Sequence, residues 1–136
     1  MAPTLLEARH ISVSINRRPA DVYAYASDPA NLPAWASGLS GSITEKNGEW
    51  IADSPMGKIK IRFDPPNEYG VLDHEVELES GVLFYNPMRV VANGPGSEVI
   101  FTLFRQPDMD EAAFQADASM IQNDISTLKN ILESKK

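Results

Sequence analysis

Apolar residues near the end of the chain recur at helical spacing. Phe114, Ala118, Ile121, Ile125, Leu128 and Leu132 are separated by four, three, four, three and four positions. That places all six on one narrow stripe of a helix with about 3.6 residues per turn, and the pattern predicts a single amphipathic helix over 108–134. Asp108 with Glu111 three residues on resembles a capping box; Asp108, Asp110 and Glu111 set negative charge at the positive end of the helix dipole, and Lys129, Lys135 and Lys136 lie at the other end. At about 1.5–3 kcal/mol for each large apolar side chain buried, the stripe contributes on the order of 10 kcal/mol, comparable to the net stability of a small domain. The helix therefore has to cover an apolar face.

The remainder of the chain supplies one. Residues 8–16 alternate, with Ile11, Val13 and Ile15 on one side and His10, Ser12 and Ser14 on the other, which predicts a strand with one buried face. Pro19 suits the first turn of a short helix over 19–27. Asp28-Pro29 starts a second one that runs to Trp35 and is released by Gly38 and Gly41. From 39 to 106 the text turns to short alternating runs, about 39–46, 49–54, 57–63, 70–79, 82–92 and 97–105. The breaks between them are Asn47-Gly48, Pro55-Met56-Gly57, Asp64-Pro65-Pro66-Asn67, Ser80-Gly81 and Asn93-Gly94-Pro95-Gly96, all with turn chemistry. An antiparallel meander is expected.

Charge tests one pairing in that meander. Lys58, Lys60 and Arg62 alternate with Ile59, Ile61 and Phe63, while Asp73, Glu75, Glu77 and Glu79 alternate with Leu72, His74, Val76 and Leu78. As hairpin partners the two runs set bases opposite acids on the outer face and bring the apolar sets together on the inner one. His74 then falls on the inner face, with Ile59, Ile61 and Phe63 as cross-strand neighbours. The expected architecture is α+β: a curved seven-stranded antiparallel sheet, ordered β-α-α-β6-α, wrapped around the long C-terminal helix as a single domain over 1–136, with room for a cavity at its wider end.

Composition narrows the classes of function. The 136 residues include no cysteine and two histidines, so a thiolate or zinc site is not expected. Net charge is −7, and residues 68–136 hold twelve acids against five bases, which argues against nucleic acid as a partner. No apolar run is long enough for a membrane span and MAPTLLEARH lacks the features of a signal segment, so a cytoplasmic monomer or homodimer is expected.

The order of elements, Ile11–Ile15 leading into Pro19-Ala20-Asp21-Val22-Tyr23, the segment Ser27-Asp28-Pro29-Ala30-Asn31-Leu32-Pro33-Ala34-Trp35, and Gly96–Phe104 followed by the long helix resemble the SRPBCC superfamily. These START-related helix-grip proteins include ligand carriers, aromatase/cyclases and bacterial polyketide cyclase/dehydrase-like members. The resemblance spans nearly the whole chain and implies the fold. It leaves binding, catalysis and protein interaction open, because the scaffold hosts all three.

Taken with the inner-face pattern, it implies a small hydrophobic or aromatic ligand, or a lipid, held between sheet and helix, without cofactor or metal. Ile61, Phe63, Val76, Phe101, Leu103, Ile121 and Ile125 would line the site, with His74 and Tyr85 as polar contacts and Trp35, beside Tyr23 and Tyr25, at its rim. His74 is also the candidate general acid/base of a cyclase/dehydratase-like enzyme, against the plainer reading of a core histidine satisfied by backbone. Asn86-Pro87 interrupts the alternation of 82–92 and suggests an edge or a bulge that re-aims Tyr85 or Arg89. Asp117 and Asp124, at the boundary of the helix stripe, are candidates to pair with His74 or Arg89, or ordinary solvated flank residues. No Ser-His-Asp order, phosphate loop or metal spacing is present.

Overall fold

In a computed structural model, residues 5–39, 42–55 and 57–135 are described. Gly41, Met56 of the 55–57 turn, Lys136 and the first four residues, which entered the expectations above, lie outside them. The order is β1 Ala8–Ile15, α1 Pro19–Ala26, a 3-10 turn Pro29–Asn31, α2 Leu32–Trp35 and a second 3-10 turn Ser37–Leu39. Then come β2 Ile43–Lys46, β3 Glu49–Ser54, β4 Gly57–Phe63, β5 His74–Leu78, β6 Leu83–Asn86, β7 Met88–Asn93 and β8 Gly96–Phe104, and the chain ends on α3 Glu111–Ser134. Asp28 caps the first turn as expected, its carboxylate accepting from the Ala30 N–H at 3.0 Å.

One continuous seven-stranded sheet does not form. The antiparallel strands make a three-stranded sheet, β1-β8-β7, and a five-stranded one, β2-β3-β4-β5-β6. The change comes at Pro87. The expected strand 82–92 is cut there, because proline has no N–H for a ladder. Before the cut Val76 faces Phe84 and His74 faces Asn86; after it Met88 faces Phe101 on β8. The Pro87 carbonyl still accepts from Thr102 at 2.9 Å, so the chain crosses between sheets without losing that bond.

The expected strand 70–79 is shorter as well, because 64–73 is a loop organised by Asn67. Its amide oxygen accepts from the Tyr69 and Val71 N–H groups, and its amide nitrogen donates to the Pro65 and Val71 carbonyls. The loop lies tight on β7: the Gly70 carbonyl accepts from the Val90 N–H, and a Cβ on Gly70 (φ +73°) would stand 2.1 Å from the Val90 carbonyl oxygen.

The charge-matched hairpin has the expected register: Lys60 opposes Glu77, Arg62 opposes Glu75, Ile61 opposes Val76 and Phe63 opposes His74. The ion pairs form diagonally too, with the Arg62 guanidinium 3.0 Å from Glu77.

All six stripe residues of α3 are buried. Its cap is Asp110 rather than Asp108: Asp110 has extended backbone and its carboxylate accepts from the Ala113 N–H at 2.8 Å, while Asp108 lies in the preceding turn. The C-terminal carbonyls are met by a residue from elsewhere, Arg17, which donates to the Leu132 oxygen at 2.8 Å.

α3 rests mainly on β1 and to a lesser extent on β8. The concave face of the five-stranded sheet is covered less completely, so Trp50, Phe63, Val76, Leu78 and Phe84 are only half-buried. Ile125, fully buried on the stripe, and Met120, 43% exposed on the same helix, separate packing from helix propensity. Ile125→Ala is expected to cost about 2–5 kcal/mol in denaturant unfolding and Met120→Ala less than about 1 kcal/mol. Equal losses would contradict this placement of the helix.

Candidate functional site

Strand alternation and helix packing bring most of the expected lining together. Ile61, Phe101, Leu103, Ile121, Ile125 and Trp35 belong to one buried cluster, and Phe63 and Val76 pack against it while keeping part of their surface open. Tyr85 does not join them. It lies opposite Glu75, on the other side of the sheet from Val76 and His74, and is half exposed. The period of two decides this: Tyr85 has the parity of the charged outer row, and the break after Asn86 comes too late to re-aim it.

His74 sits at the start of β5, buried at 9% exposure. Its ring stacks on Phe63 with centroids 4.8 Å apart and meets Phe101 edge-on at 6.0 Å. Nδ1 is 3.0 Å from the Leu72 carbonyl oxygen, which can only accept, so Nδ1 carries the proton and Nε2 presents a lone pair. Nε2 has no partner among the described residues. Burial pushes the His74 pKa below its ordinary value, opposed by the Leu72 carbonyl and the charges of Asp73 and Asp64. The ring is therefore neutral at pH 7.

Two further polar groups belong to this interior. Trp35 is buried and its indole Nε1–H has no acceptor among the described residues. Asn86, which the sequence singles out only as the residue before a strand break, is the cross-strand neighbour of His74 on the same face. α2 packs on α3, and the turn Ser37–Leu39 that follows it touches β3. Trp35 therefore stands where the helix and the five-stranded sheet are bridged.

The charged candidates go elsewhere. Asp73 falls with the outer acids by alternation, yet it is 4% exposed. Its carboxylate accepts from the Met88 N–H and the Tyr85 hydroxyl, each at 2.9 Å, and from the Arg89 guanidinium. The hydrogen bond to Asp73 is the main cause of a raised Tyr85 pKa. Arg89 is thus held on the convex side by Asp73. Alternation cannot reveal this clamp, because what buries Asp73 is the turn of the chain at Pro87.

On α3, Asp124 accepts from the Ser37 N–H at 3.0 Å and so tethers the turn after α2 rather than His74 or Arg89. Partial burial raises the pKa of Asp117 and of Asp124, the latter against the Ser37 bond. Among the described residues no group of three or more His, Asp or Glu side chains is placed to hold a metal ion, and no helix is long and apolar enough to cross a membrane. Two surface hollows lie apart from His74. One of about 240 Å³ includes Ser14, Asn93, Lys129 and Glu133; one of about 560 Å³ includes Leu5, Leu6, Arg105 and Met109.

The sign of the His74 shift sets a pH dependence. The folded ring stays neutral while the unfolded one takes a proton below about pH 6.5, so the unfolded chain binds more protons and stability falls on acidification through that range. The slope from this group is at most about 1.4 kcal/mol per pH unit. Asp117 and Asp124 act with the opposite sign at lower pH, since their raised values make the folded state bind more protons there. Urea unfolding between pH 7 and 5 should show a smaller slope for His74→Gln than for the parent. An unchanged slope would place the ring in contact with solvent.

No protein-family model matches the sequence, and no curated protein matches it in sequence. Solved structures do match in fold. XoxI from Bacillus cereus superposes with a TM-score of 0.73 at 15% identity, covering 95% of this chain and 97% of that one. Ara h 8.0201 gives 0.68 at 14%, covering 96% and 100%. DynU16, from the dynemicin biosynthetic locus, gives 0.71 at 13%, covering 93% of this chain and 47% of that one. These likenesses are to the fold alone: an α+β chain of antiparallel strands gripping a long C-terminal helix, the helix-grip arrangement.

Proposed function

We propose that this protein binds a small apolar or aromatic molecule between α3 and the concave face of the five-stranded sheet. Ile61, Phe63, Val76, Phe101, Leu103, Ile121 and Ile125 supply the apolar walls, and His74 and Trp35 the polar contacts. The observation that carries this reading is the uneven seating of α3. It leaves a row of aromatic and aliphatic side chains half-buried beside a buried histidine whose Nε2 is unpartnered. Apolar concave surface with a few convergent polar groups is the usual make-up of a small-molecule site.

A second reading treats His74 as a catalytic base of a cyclase/dehydratase-like reaction, supported by its neutral ring and available lone pair. Against it, the ring is oriented by a backbone carbonyl rather than by a carboxylate, since Asp73 is engaged on the opposite face.

Titration with naphthalene and related hydrophobic probes, followed by 15N–1H NMR, should move the signals of Phe63, His74 and Val76 together. Val76→Trp, which fills the concave face, should weaken binding by about tenfold or more through overpacking. Shifts confined to the convex face, or binding indifferent to Val76→Trp, would contradict the proposal. If the second reading holds, His74→Gln should abolish turnover of a cyclic carbonyl substrate with binding retained, and unchanged turnover would exclude it.

A further inference from the structure

Among the described residues the interior offers polar atoms of both senses and no cation. Trp35 is 6% exposed, and its Nε1–H is buried without an acceptor among the described residues. An orphaned buried donor is destabilising, so a native interior that keeps one is expected to receive its acceptor from outside the chain. His74 offers the complement, a neutral ring whose Nδ1–H is used by Leu72 and whose Nε2 can only accept. Asn86 beside it can do either.

Charge is distributed the other way. The inward positions of β3 to β6 are Trp50, Ala52, Ile59, Ile61, Phe63, His74, Val76, Leu78, Phe84 and Asn86, with no Lys or Arg among them. The cations of β3 to β6 face outward and are paired: Lys58 with Asp53, Lys60 with Glu49, and Arg62 with Glu75 and Glu77. Arg89 is held by Asp73 and Arg17 by Asp21 and the end of α3. On the flank of α3 that reaches the turn after α2 the charged residues are Asp117 and Asp124, while Lys129, on the opposite flank, is held by the Ser14 carbonyl and Glu133. An anion entering this space would lose its hydration and meet no counter-charge.

We infer that the ligand is a neutral apolar molecule with a carbonyl or ether oxygen to accept from Trp35 Nε1–H and a hydroxyl to donate to His74 Nε2, and that carboxylates are excluded. This deepens the proposed function and rests on it. The site selects by hydrogen-bond sense: a probe with one matching group gains over the bare hydrocarbon, and an acid of the same shape loses.

The test is a series of one shape: naphthalene, acetonaphthone with an acceptor only, naphthol with a hydroxyl, and naphthoate with a charge. Each is titrated against the parent protein, Trp35→Phe and His74→Leu by NMR. Acetonaphthone should bind about 5–10-fold more tightly than naphthalene, move the Trp35 Nε1–H resonance downfield, and lose its advantage in Trp35→Phe. Naphthol should lose its advantage in His74→Leu, and naphthoate should bind at least about tenfold more weakly than acetonaphthone.

Trp35→Phe breaks no side-chain hydrogen bond among the described residues. If it nevertheless fails to fold, the movement of the parent's Trp35 resonance across the four probes still decides. Equal affinity for naphthalene, acetonaphthone and naphthol with that resonance unmoved would overturn the inference while leaving the binding reading intact, as would tightest binding of naphthoate. Failure of every probe, naphthalene included, to shift the concave face would remove both.

Discussion

A helix with one apolar stripe can satisfy one surface fully, and α3 gives its stripe mainly to β1. The stripe is continuous from Phe114 to Leu132, and the ends of the helix are tied to the same side of the molecule. Arg9 lies over the Phe114 ring, Arg17 caps the Leu132 carbonyl, and Lys129 reaches the Ser14 carbonyl. Each of these partners comes from β1 or the residues just beyond it. The five-stranded sheet, although it curves around the same helix, has to find cover for its concave face from α3's flank and from the short segment through Trp35. That cover is thin, and it leaves a row of aromatic and aliphatic side chains half-buried.

The split of the meander into two sheets has the same logic. Pro87 interrupts the ladder, and past it β7 pairs with β8 on one side while on the other it keeps a short antiparallel contact with residues 70–72, through Val71 opposite Arg89 and the Leu72–Met88 and Val90–Gly70 backbone bonds. A break of this kind leaves backbone groups without ladder partners, and Asp73 meets one of them by accepting the Met88 N–H. A buried carboxylate is costly unless paired and fully hydrogen-bonded. Arg89 and Tyr85 complete it, one residue past Met88 and one before Asn86. The corner is therefore built from one acid and three donors within a few residues of the proline that makes it necessary.

How far these features were legible depends on whether a residue's role follows from its own period. The α3 stripe and the Lys58–Arg62 against Asp73–Glu79 pairing were legible, because burial there is periodic and charge checks the register. The division into two sheets was not: alternation tells which side of a strand is buried and says nothing about which neighbour a strand leaves. Pro87 was visible as an interruption, but a bulge, an edge and a change of sheet all read alike in one dimension. Asp73 was assigned to the right face with the wrong environment, since its cover comes from the corner. The cap at Asp110 rather than Asp108 is a shift within an acidic run where either residue satisfies the pattern. Trp35 was expected at a rim and instead lies buried in the core cluster, and its unpartnered N–H is a property of three dimensions only.

Residues 72 to 74 connect the corner to the site. Leu72 is buried in the core, and its N–H donates to the Met88 carbonyl at 2.8 Å; Asp73 takes the Met88 N–H; His74 turns inward and is held through Nδ1 by the Leu72 carbonyl. The two bonds to Met88 pin the backbone on either side of the Leu72–Asp73 peptide, so the carbonyl that orients His74 is itself fixed by the sheet corner. The imidazole presents its lone pair inward because the chain two residues earlier cannot rotate. The orientation of the imidazole on the inner face thus depends on a clamp that lies on the outer one, and it is set by the backbone of the fold itself.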